Sequence, residues 1–383
     1  MELSVRKSHL LHELQLCQGI VERKNTIPIL SNVLLETDGD DSVELLATDL
    51  DVTLRTRCEA SIGRAGSVTV PAKKLFEIVR NLPETEILIR EESKGTVSVQ
   101  AENFHSKLQT LPREDFPTLP DVAEDGAVPV DRAALRGMVS KTSFAITGED
   151  TRFYLNGALF VVKNEAMSLI ATDGHRLALA AASRDAEAPA VGELSAILPK
   201  KTLNEVNRLL VDGDGDLQYS IGESHLFFQV DGRLLISRNI DATFPTYERV
   251  IPTSNDKTVE IDRDRLTSAI RRVALLSNER SHAMKFQITA KARADAADGA
   301  PDGPSAEVSA ESPEHGRANE IIPIDYDGPD LLICFNAQYV LDFLGVVETE
   351  AVTLELKDET SQAVMHPTGE ESNYTYVIMP MRV

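Results

Sequence analysis

The chain has 383 residues, of which 42% are hydrophobic, and it carries a formal net charge of −22. More than one hydrophobic core is expected at this length, since single cores stop growing at about 250 to 300 residues. No apolar run reaches the ~18 residues of a membrane span, and charges interrupt the N-terminus, so we expect a soluble, cytoplasmic protein without a signal peptide.

The first predicted helix covers residues 5–21, where apolar residues spaced four, three and four apart share one helical face. A β-rich stretch follows. A second helix is predicted over residues 71–82, because Pro71 suits a first helical turn, where its missing N–H costs nothing. A turn at residues 116–118 then ends the unit, with a boundary near Asp121.

The same pattern occurs twice more along the chain. Helices predicted over residues 131–147 and 262–278 repeat the first helix, and those over 199–211 and 336–347 repeat the second. The repeated apolar positions of the first helix are Leu10, Leu14, Cys17 and Val21, then Leu135, Val139, Thr142 and Ile146, then Leu266, Ile270, Val273 and Ser277. The alternative is one large α/β enzyme with incidental similarity. We predict an α+β protein of three repeated domains, residues 1–121, 122–252 and 253–383, each with two helices and antiparallel sheets.

Strand segments repeat as well. The stretch Leu-Leu-Ala-Thr-Asp of residues 45–49 recurs as Leu-Ile-Ala-Thr-Asp in residues 169–173, and Phe-Pro-Thr of residues 116–118 recurs in residues 244–246. The third copy is less regular, because residues 292–304 form a low-complexity run that cannot bury apolar surface. We interpret that run as a disordered insertion in a hairpin.

The net charge, taken alone, argues against nucleic acid as a partner, because Lys and Arg drive phosphate binding. The six predicted helices nevertheless contain 15 Lys and Arg residues but only 7 Asp and Glu residues. The rest of the chain contains 24 Lys and Arg residues and 54 Asp and Glu residues. Lys7, Arg132 and Arg263 share one repeat position, and Lys73 and Lys201 share another. Helices that line one surface would therefore form a basic face that binds DNA phosphates without reading sequence.

Two segments imitate sites that carry chemistry. Residues 212–216 and Glu223 imitate a calcium loop, but Leu217 replaces its required glycine and a strand pattern follows, which favours a surface turn. Asp173, His175 and Arg176 could together supply a general base, an orienting carboxylate and an anion clamp, yet neighbours on a strand point to opposite faces. Three cysteines in apolar stretches favour buried thiols in a reducing compartment. We predict no metal, no cofactor and no catalytic residue.

Several motifs resemble the bacterial DNA polymerase III beta subunit family, the beta sliding clamps, and the similarity spans the whole chain. Thr-Asp-Gly-His-Arg at residues 172–176 and Met-Pro-Met-Arg at residues 379–382 are specific in combination, and further matches lie at residues 26–30, 70–74, 154–157 and 276–279. The resemblance implies the DNA clamp fold, a ring-shaped homodimer around duplex DNA, and no catalytic activity. It also implies a processivity factor that tethers other proteins to DNA.

The resemblance assigns three groups of residues. The implied peptide-binding pocket comprises Arg152, Leu155, Thr172, Gly174, His175, Arg176, Leu177, Pro245, Arg249, Val250, Met379, Pro380 and Met381. The implied DNA-facing residues are Lys24, Lys73, Phe153, Tyr154 and Lys201, and the implied dimer-interface residues are Leu275 and Leu276. Two positions depart from the family, since Ala363 replaces a frequent pocket serine and Ser106 replaces a frequent interface aromatic.

The implied partners are duplex DNA, a second copy of the chain, the replicative polymerase catalytic subunit and the clamp loader. Translesion polymerases, mismatch repair proteins and DNA ligase complete the set. Two other hypotheses remain, a hydrolase that uses Asp173 and His175, and an acidic scaffold that never encircles DNA. Turnover of a substrate would favour the first, and failure to stay on circular DNA would favour the second.

Overall fold

The computed structural model describes residues 1–21, 26–93, 95–120, 126–148, 150–211, 213, 215–290, 303–369 and 373–382. Lys24 and nearly all of the predicted insertion at 292–304 lie outside these residues. Among the helices of the described residues, none is both long enough and apolar enough to cross a membrane.

One order of elements occurs three times in the described residues: a strand, a helix, several strands, a second helix and three strands. The first repeat has β1 (Glu2–Arg6), α1 (Lys7–Ile20), β2 (Asn32–Asp38), β3 (Ser42–Thr48), β4 (Val52–Glu59), β5 (Ser61–Arg64), β6 (Ser67–Pro71), α2 (Ala72–Asn81), β7 (Glu86–Ser93), β8 (Thr96–Ala101) and β9 (Phe104–Gln109). The second has β10 (Val128–Val130), α3 (Arg132–Thr142), β11 (Gly157–Val162), β12 (Ala166–Thr172), β13 (Arg176–Ser183), β14 (Leu194–Pro199), α4 (Lys200–Leu209), β15 (Leu217–Ile221), β16 (His225–Val230) and β17 (Arg233–Arg238). The third has β18 (Lys257–Asp262), α5 (Arg263–Ala274), β19 (Ala283–Thr289), β20 (Ser305–Ser312), β21 (Gly316–Pro323), β22 (Leu331–Asn336), α6 (Ala337–Leu344), β23 (Ala351–Leu356), β24 (Ala363–Pro367) and β25 (Tyr374–Ile378).

The helices bury the faces that the spacing predicts, but they are shorter than predicted. Leu10, Leu14 and Cys17 are fully buried in α1, as are their counterparts in α3 and α5 to within a few per cent. The fourth apolar position of each helix lies beyond its end, because α1 stops at Ile20 and the next residue, Val21, is already extended at ψ 121°. Apolar spacing alone therefore overestimated the helices.

The basic residue that begins each first helix has a structural role. Lys7 of α1 donates to the carbonyl oxygen of Leu82, just after α2. Arg132 Nε donates to the Gly215 carbonyl at 2.9 Å, and Arg263 Nη1 donates to the Val347 carbonyl, which lies beyond α6, at 2.7 Å. Each side chain fastens the start of one helix to the loop after the second helix of its repeat, so these charges are not free for DNA.

The chain forms two compact units that do not follow the sequence repeats, since the second repeat contributes to both. Unit 1 contains a sheet in the order β5-β1-β7-β8-β9 and an eight-stranded sheet in the order β10-β15-β16-β17-β4-β3-β2-β6. Unit 2 contains an eight-stranded sheet in the order β14-β11-β12-β13-β25-β24-β23-β18 and a sheet in the order β21-β20-β19-β22. Each eight-stranded sheet thus joins strands of two successive repeats.

A buried ion pair stabilises the β4–β17 junction in unit 1. The carboxylate of Glu13, 4% exposed on α1, accepts hydrogen bonds from Arg233 Nε at 2.9 Å and Nη2 at 2.6 Å. Thr56 of β4 donates its hydroxyl to the same carboxylate. Glu13 therefore links its helix to both strands that meet at the junction.

Candidate functional site

The turn between β12 and β13 has the geometry of a capped hairpin. Asp173 Oδ1 accepts the backbone N–H groups of His175 and Arg176 at 2.9 and 3.0 Å, and Thr172 Oγ1 accepts that of Gly174 at 3.1 Å. Gly174 has φ +90°, and a Cβ there would lie 3.0 Å from the Arg152 guanidinium. The Thr-Asp-Gly sequence therefore specifies this turn through local hydrogen bonds and one left-handed residue.

A groove of about 220 Å³ opens beside this hairpin in unit 2. It brings together ten of the thirteen predicted pocket residues: Arg152, Leu155, Thr172, Gly174, His175, Arg176, Leu177, Pro245, Val250 and Met379. Tyr154, Tyr247, Gln362 and Val377 also line it. Residues from five separate stretches of the chain, between Arg152 and Met379, thus converge on one cavity.

The groove has an apolar floor and an accessible apolar rim. Leu155 and Leu177 are 2% and 1% exposed, so they are already packed in the core. Val250 and Met379 are 37% and 38% exposed. Since large apolar side chains lose free energy when left in water, these two are the residues that a ligand would cover.

Arg176, which lines the groove, is held by ion pairs and hydrogen bonds within the fold. Its side chain is 9% exposed and pairs with Asp173 at 3.0 Å and Asp342 at 2.5 Å. It also donates to the Phe144 carbonyl at 2.7 Å, and its guanidinium carbon lies 4.3 Å from the centre of the Tyr339 ring. Burial alone would lower the pKa of Arg176, but nearby Tyr376, Asp342 and Asp173 raise it overall. Arg176 therefore supports the groove from behind.

Arg152 is the accessible cation of the groove. Its side chain is 47% exposed and grips Asp150 with two hydrogen bonds, of 3.0 and 2.7 Å. The hydrogen bonds from Arg152 lower the pKa of Asp150 to about 2. The pair stays ionised at neutral pH, which fixes Arg152 at the mouth of the groove with some of its surface in water.

Three predicted pocket residues do not line the groove, namely Arg249, Pro380 and Met381. The backbone N–H of Met379 donates to the His175 carbonyl at 2.9 Å, whereas that of Met381 donates to Cys334 at 2.8 Å, on β22. The C-terminal segment therefore leaves the groove after Met379. Val377 was missed by sequence reasoning, because only the pairing of β25 with β13 places it opposite Leu177.

The residues predicted to face DNA differ in their surroundings. Lys73 has a side chain 65% exposed, and Phe153 is 56% exposed. Lys201 instead donates to the Ile20 carbonyl at 3.1 Å and to the Asp49 carboxylate. Tyr154, also predicted to face DNA, lines the groove. The Lys73 side chain is therefore more accessible to a DNA phosphate than the Lys201 side chain.

The predicted dimer-interface pair lies just after α5. Leu275 is 78% exposed, the largest value among the exposed large apolar residues of the described chain, and Leu276 is half-buried. Ala363, where the resemblance implies a pocket serine, is fully buried on β24 and does not line the groove. Leu275 is therefore an apolar side chain that a second protein surface would cover.

The geometry gives no support to the hydrolase hypothesis. Asp173 Oδ1 accepts two backbone N–H groups of its own turn, and its Oδ2 pairs with Arg176. That carboxylate is therefore occupied by the hairpin and does not orient the His175 ring. Within the described part of the chain, no three His, Cys, Asp or Glu side chains are placed to hold a metal ion. Asp212 and Asp214, from the segment that imitates a calcium loop, lie outside the described residues.

Comparisons with known proteins agree along the whole chain. Family models described as the N-terminal, central and C-terminal domains of the DNA polymerase III beta subunit match residues 1–120, 129–246 and 248–382. The beta sliding clamps of Pseudomonas putida and Escherichia coli are 36% and 33% identical, with 100% of each chain covered. A crystal structure of the Pseudomonas aeruginosa sliding clamp bound to griselimycin is 37% identical with a TM-score of 0.90, and one from Caulobacter crescentus is 33% identical with a TM-score of 0.88, each over 100% of both chains.

Proposed function

Because this chain belongs to the family of DNA polymerase III beta subunits, we infer that it is a DNA sliding clamp, a processivity factor that encircles duplex DNA. The observation that carries this inference is the match of all three domain models, in order, to one chain that aligns with sliding clamps from end to end. In this function the protein catalyses no reaction of its own. We propose domain boundaries near Asp121, in the gap between the first two matched segments, and near Pro252, a few residues into the third matched segment.

Two strand edges support assembly into a homodimer. In the eight-stranded sheets, β4 pairs with β17 and β13 pairs with β25. The corresponding strands of the third repeat and the first repeat are β21 and β9, and each is the outer strand of its own sheet. Since an outer strand presents unpaired N–H and C=O groups, we propose that β21 of one copy pairs with β9 of a second copy. Two such junctions close a head-to-tail dimer.

The two junctions present in the chain set the register of the proposed one. Leu54 lies opposite Leu235 in the first, and Ala178 lies opposite Tyr376 in the second. When the strand ladders of the three repeats are aligned, Ala318 of β21 corresponds to Leu54 and Ala178. Ser106 of β9 corresponds to Leu235 and Tyr376, since it follows its hairpin turn at the same distance as Leu235. Ser106 of one copy should therefore lie opposite Ala318 of the other.

A variant with Ser106→Cys and Ala318→Cys is therefore expected to form covalent dimers under mild oxidation or with a short bis-maleimide. Cβ atoms of directly opposed residues lie about 4.5–5.5 Å apart, within reach of such links. Non-reducing electrophoresis would show a species of twice 42.0 kDa. Either single variant should remain a monomer on the gel, because a lone introduced thiol has no thiol opposite it; a Cys334→Ser background removes the native cysteine that is only partly buried. Light scattering that shows only monomer at micromolar concentration would remove the dimer.

Retention on DNA is expected to depend on topology. The six observed helices carry more Lys and Arg than Asp and Glu, although the chain is acidic as a whole. A few phosphate contacts give weak, salt-sensitive binding, whereas a closed ring cannot leave a circle. After loading by a clamp loader, the protein should remain on nicked circular DNA in high salt and leave once the circle is cut. Equal loss from both forms would contradict encirclement.

We further propose that the groove captures short peptides from proteins that work on DNA. An apolar cavity with exposed Val250 and Met379, together with the Arg152 donor, suits a peptide with apolar anchors and a polar residue. The partners we propose are the replicative polymerase, the clamp loader, translesion polymerases, mismatch repair proteins and DNA ligase. One adaptable groove on each subunit can serve these partners in turn.

A further inference from the structure

At both strand junctions within the chain, the incoming strand places one side chain against the neighbouring first helix. In the first junction, Arg233 of β17 pairs with Glu13 of α1. In the second, the Tyr374 hydroxyl of β25 donates to the Lys141 carbonyl of α3 at 2.8 Å, and the Lys141 ammonium lies 5.6 Å from the centre of that ring. Arg233 and Tyr374 hold the same position in their strands, but Glu13 lies three residues after the repeated leucine of its helix and Lys141 lies six residues after it.

The corresponding side chain of the first repeat is Phe104, which begins β9. It follows the β8–β9 turn as Arg233 follows the β16–β17 turn. The two turns share an unusual backbone, since Glu102 and Asp231 have φ of 48° and 50°. Phe104 is 38% exposed, whereas the aromatic ring at the equivalent place on β25, Tyr374, is fully buried. Among the described residues, β9 is the outer strand of its sheet, so a strand of a second copy has room to pair with it.

The residue of the third repeat that corresponds to Lys141 is Arg272 on α5. Arg272 and Lys141 both lie six residues after the repeated leucine of their helices. Arg272 donates to Glu320 of β21 through Nε at 2.8 Å and Nη2 at 2.6 Å, yet 61% of its side chain is exposed. The hydrogen bonds from Arg272 lower the pKa of Glu320, which keeps the pair ionised. Glu320 holds the guanidinium plane in a fixed orientation beside the open strand edge.

We propose that Phe104 of one copy packs on the guanidinium of Arg272 in a second copy, where Glu320 lies directly opposite it across the new strand pair. This inference rests on the proposed head-to-tail dimer and assigns the side-chain contact that closes its junction. An aromatic face attracts a cation above it, and a planar guanidinium that is already oriented loses little entropy on stacking. Burial of the Phe104 ring away from water also contributes favourable free energy to the contact.

This junction differs in kind from the first junction within the chain. There, Glu13 and Arg233 come from opposite sides, so separation would leave a buried charge unpaired. In the proposed junction, both charges belong to one copy and stay paired when the other copy leaves. Separation then exposes only an aromatic ring and the face of an ion pair. Such a contact can open without stranding a charge, as a ring that is loaded onto DNA requires.

A double-substitution cycle on Phe104→Ala and Arg272→Ala tests the contact. Each single substitution is expected to weaken a junction about fivefold, in the range of exposed cation–aromatic contacts. The dissociation constant of the dimer should rise about twenty-five-fold, because each change occurs at both junctions. The double variant should be little weaker than either single one. Sedimentation equilibrium over a protein concentration series measures all four constants.

Two further variants separate stacking from simple burial. Phe104→Tyr, which keeps the aromatic face, should retain coupling to Arg272, whereas Phe104→Leu, which keeps apolar bulk, should lose it. Leu332→Ala, at an exposed leucine on the opposite edge strand β22, should leave dimerisation unchanged. A dimeric wild type with strictly additive effects at residues 104 and 272 would overturn the contact but keep the dimer. A monomeric wild type would overturn the proposed assembly itself.

Discussion

Truncation of the two exposed apolar side chains of the groove, Val250→Ala with Met379→Ala, is expected to weaken peptide binding about thirtyfold or more. Both residues line the cavity and are more than a third exposed, so a bound peptide would cover both. Anchors of this kind carry about 2 kcal/mol or more of binding free energy together. Fluorescence titration of a labelled peptide with glutamine, leucine and phenylalanine anchors would measure the loss.

Two single variants make that result specific. Val211→Ala, at an aliphatic residue 52% exposed outside the groove, should leave peptide affinity unchanged. Met381→Ala should also cost little, because the chain leaves the groove after Met379. If the double variant stayed dimeric and bound peptide with wild-type affinity, the partner site would have to lie elsewhere. If Met381→Ala alone abolished binding, the site would extend along the C-terminal segment.

Much of the fold could be predicted because each repeat encodes its structure locally. The shared Thr-Asp sequence predicts equivalent turns, and Asp49 and Asp173 each accept two backbone N–H groups from the residues that follow them. Helix positions followed from apolar spacing in the same way. The ends of the helices did not, because they depend on side chains of other elements, as where Lys201 bonds to the last residue of α1.

The roles of the charged residues could not be predicted from their positions in the sequence. Arg176 was expected in the peptide pocket, and its place there depends on a pairing with Asp342, 166 residues away, that the sequence does not show. Lys7 was expected to add to a basic surface, but it bonds to a carbonyl 75 residues away. Sequence patterns give the sign of a charge, and only the tertiary fold decides whether another polar group neutralises it.

Glu13→Gln is expected to lower the free energy of unfolding by about 3–5 kcal/mol. Glu13 is 4% exposed, and its carboxylate is the acceptor for both donor groups of Arg233 named above. A neutral amide would remove the carboxylate charge that faces the largely buried guanidinium next to the β4–β17 junction. Urea denaturation followed by circular dichroism measures the loss. Glu77→Gln is a matched control, because that helical glutamate pairs with Lys74 at the surface and should change stability by less than ~1 kcal/mol.

The double variant Glu13→Leu with Arg233→Met is expected to recover much of the stability that Glu13→Gln loses. Two apolar side chains of similar volume need no solvation, so neither leaves a charge stranded in the junction. Recovery would show that the cost of the single variant comes from the loss of the ion pair rather than from lost packing of α1. The opposite pattern, in which Glu13→Gln costs no more than Glu77→Gln, would mean that water reaches Arg233 and that the strand pairing alone holds the junction.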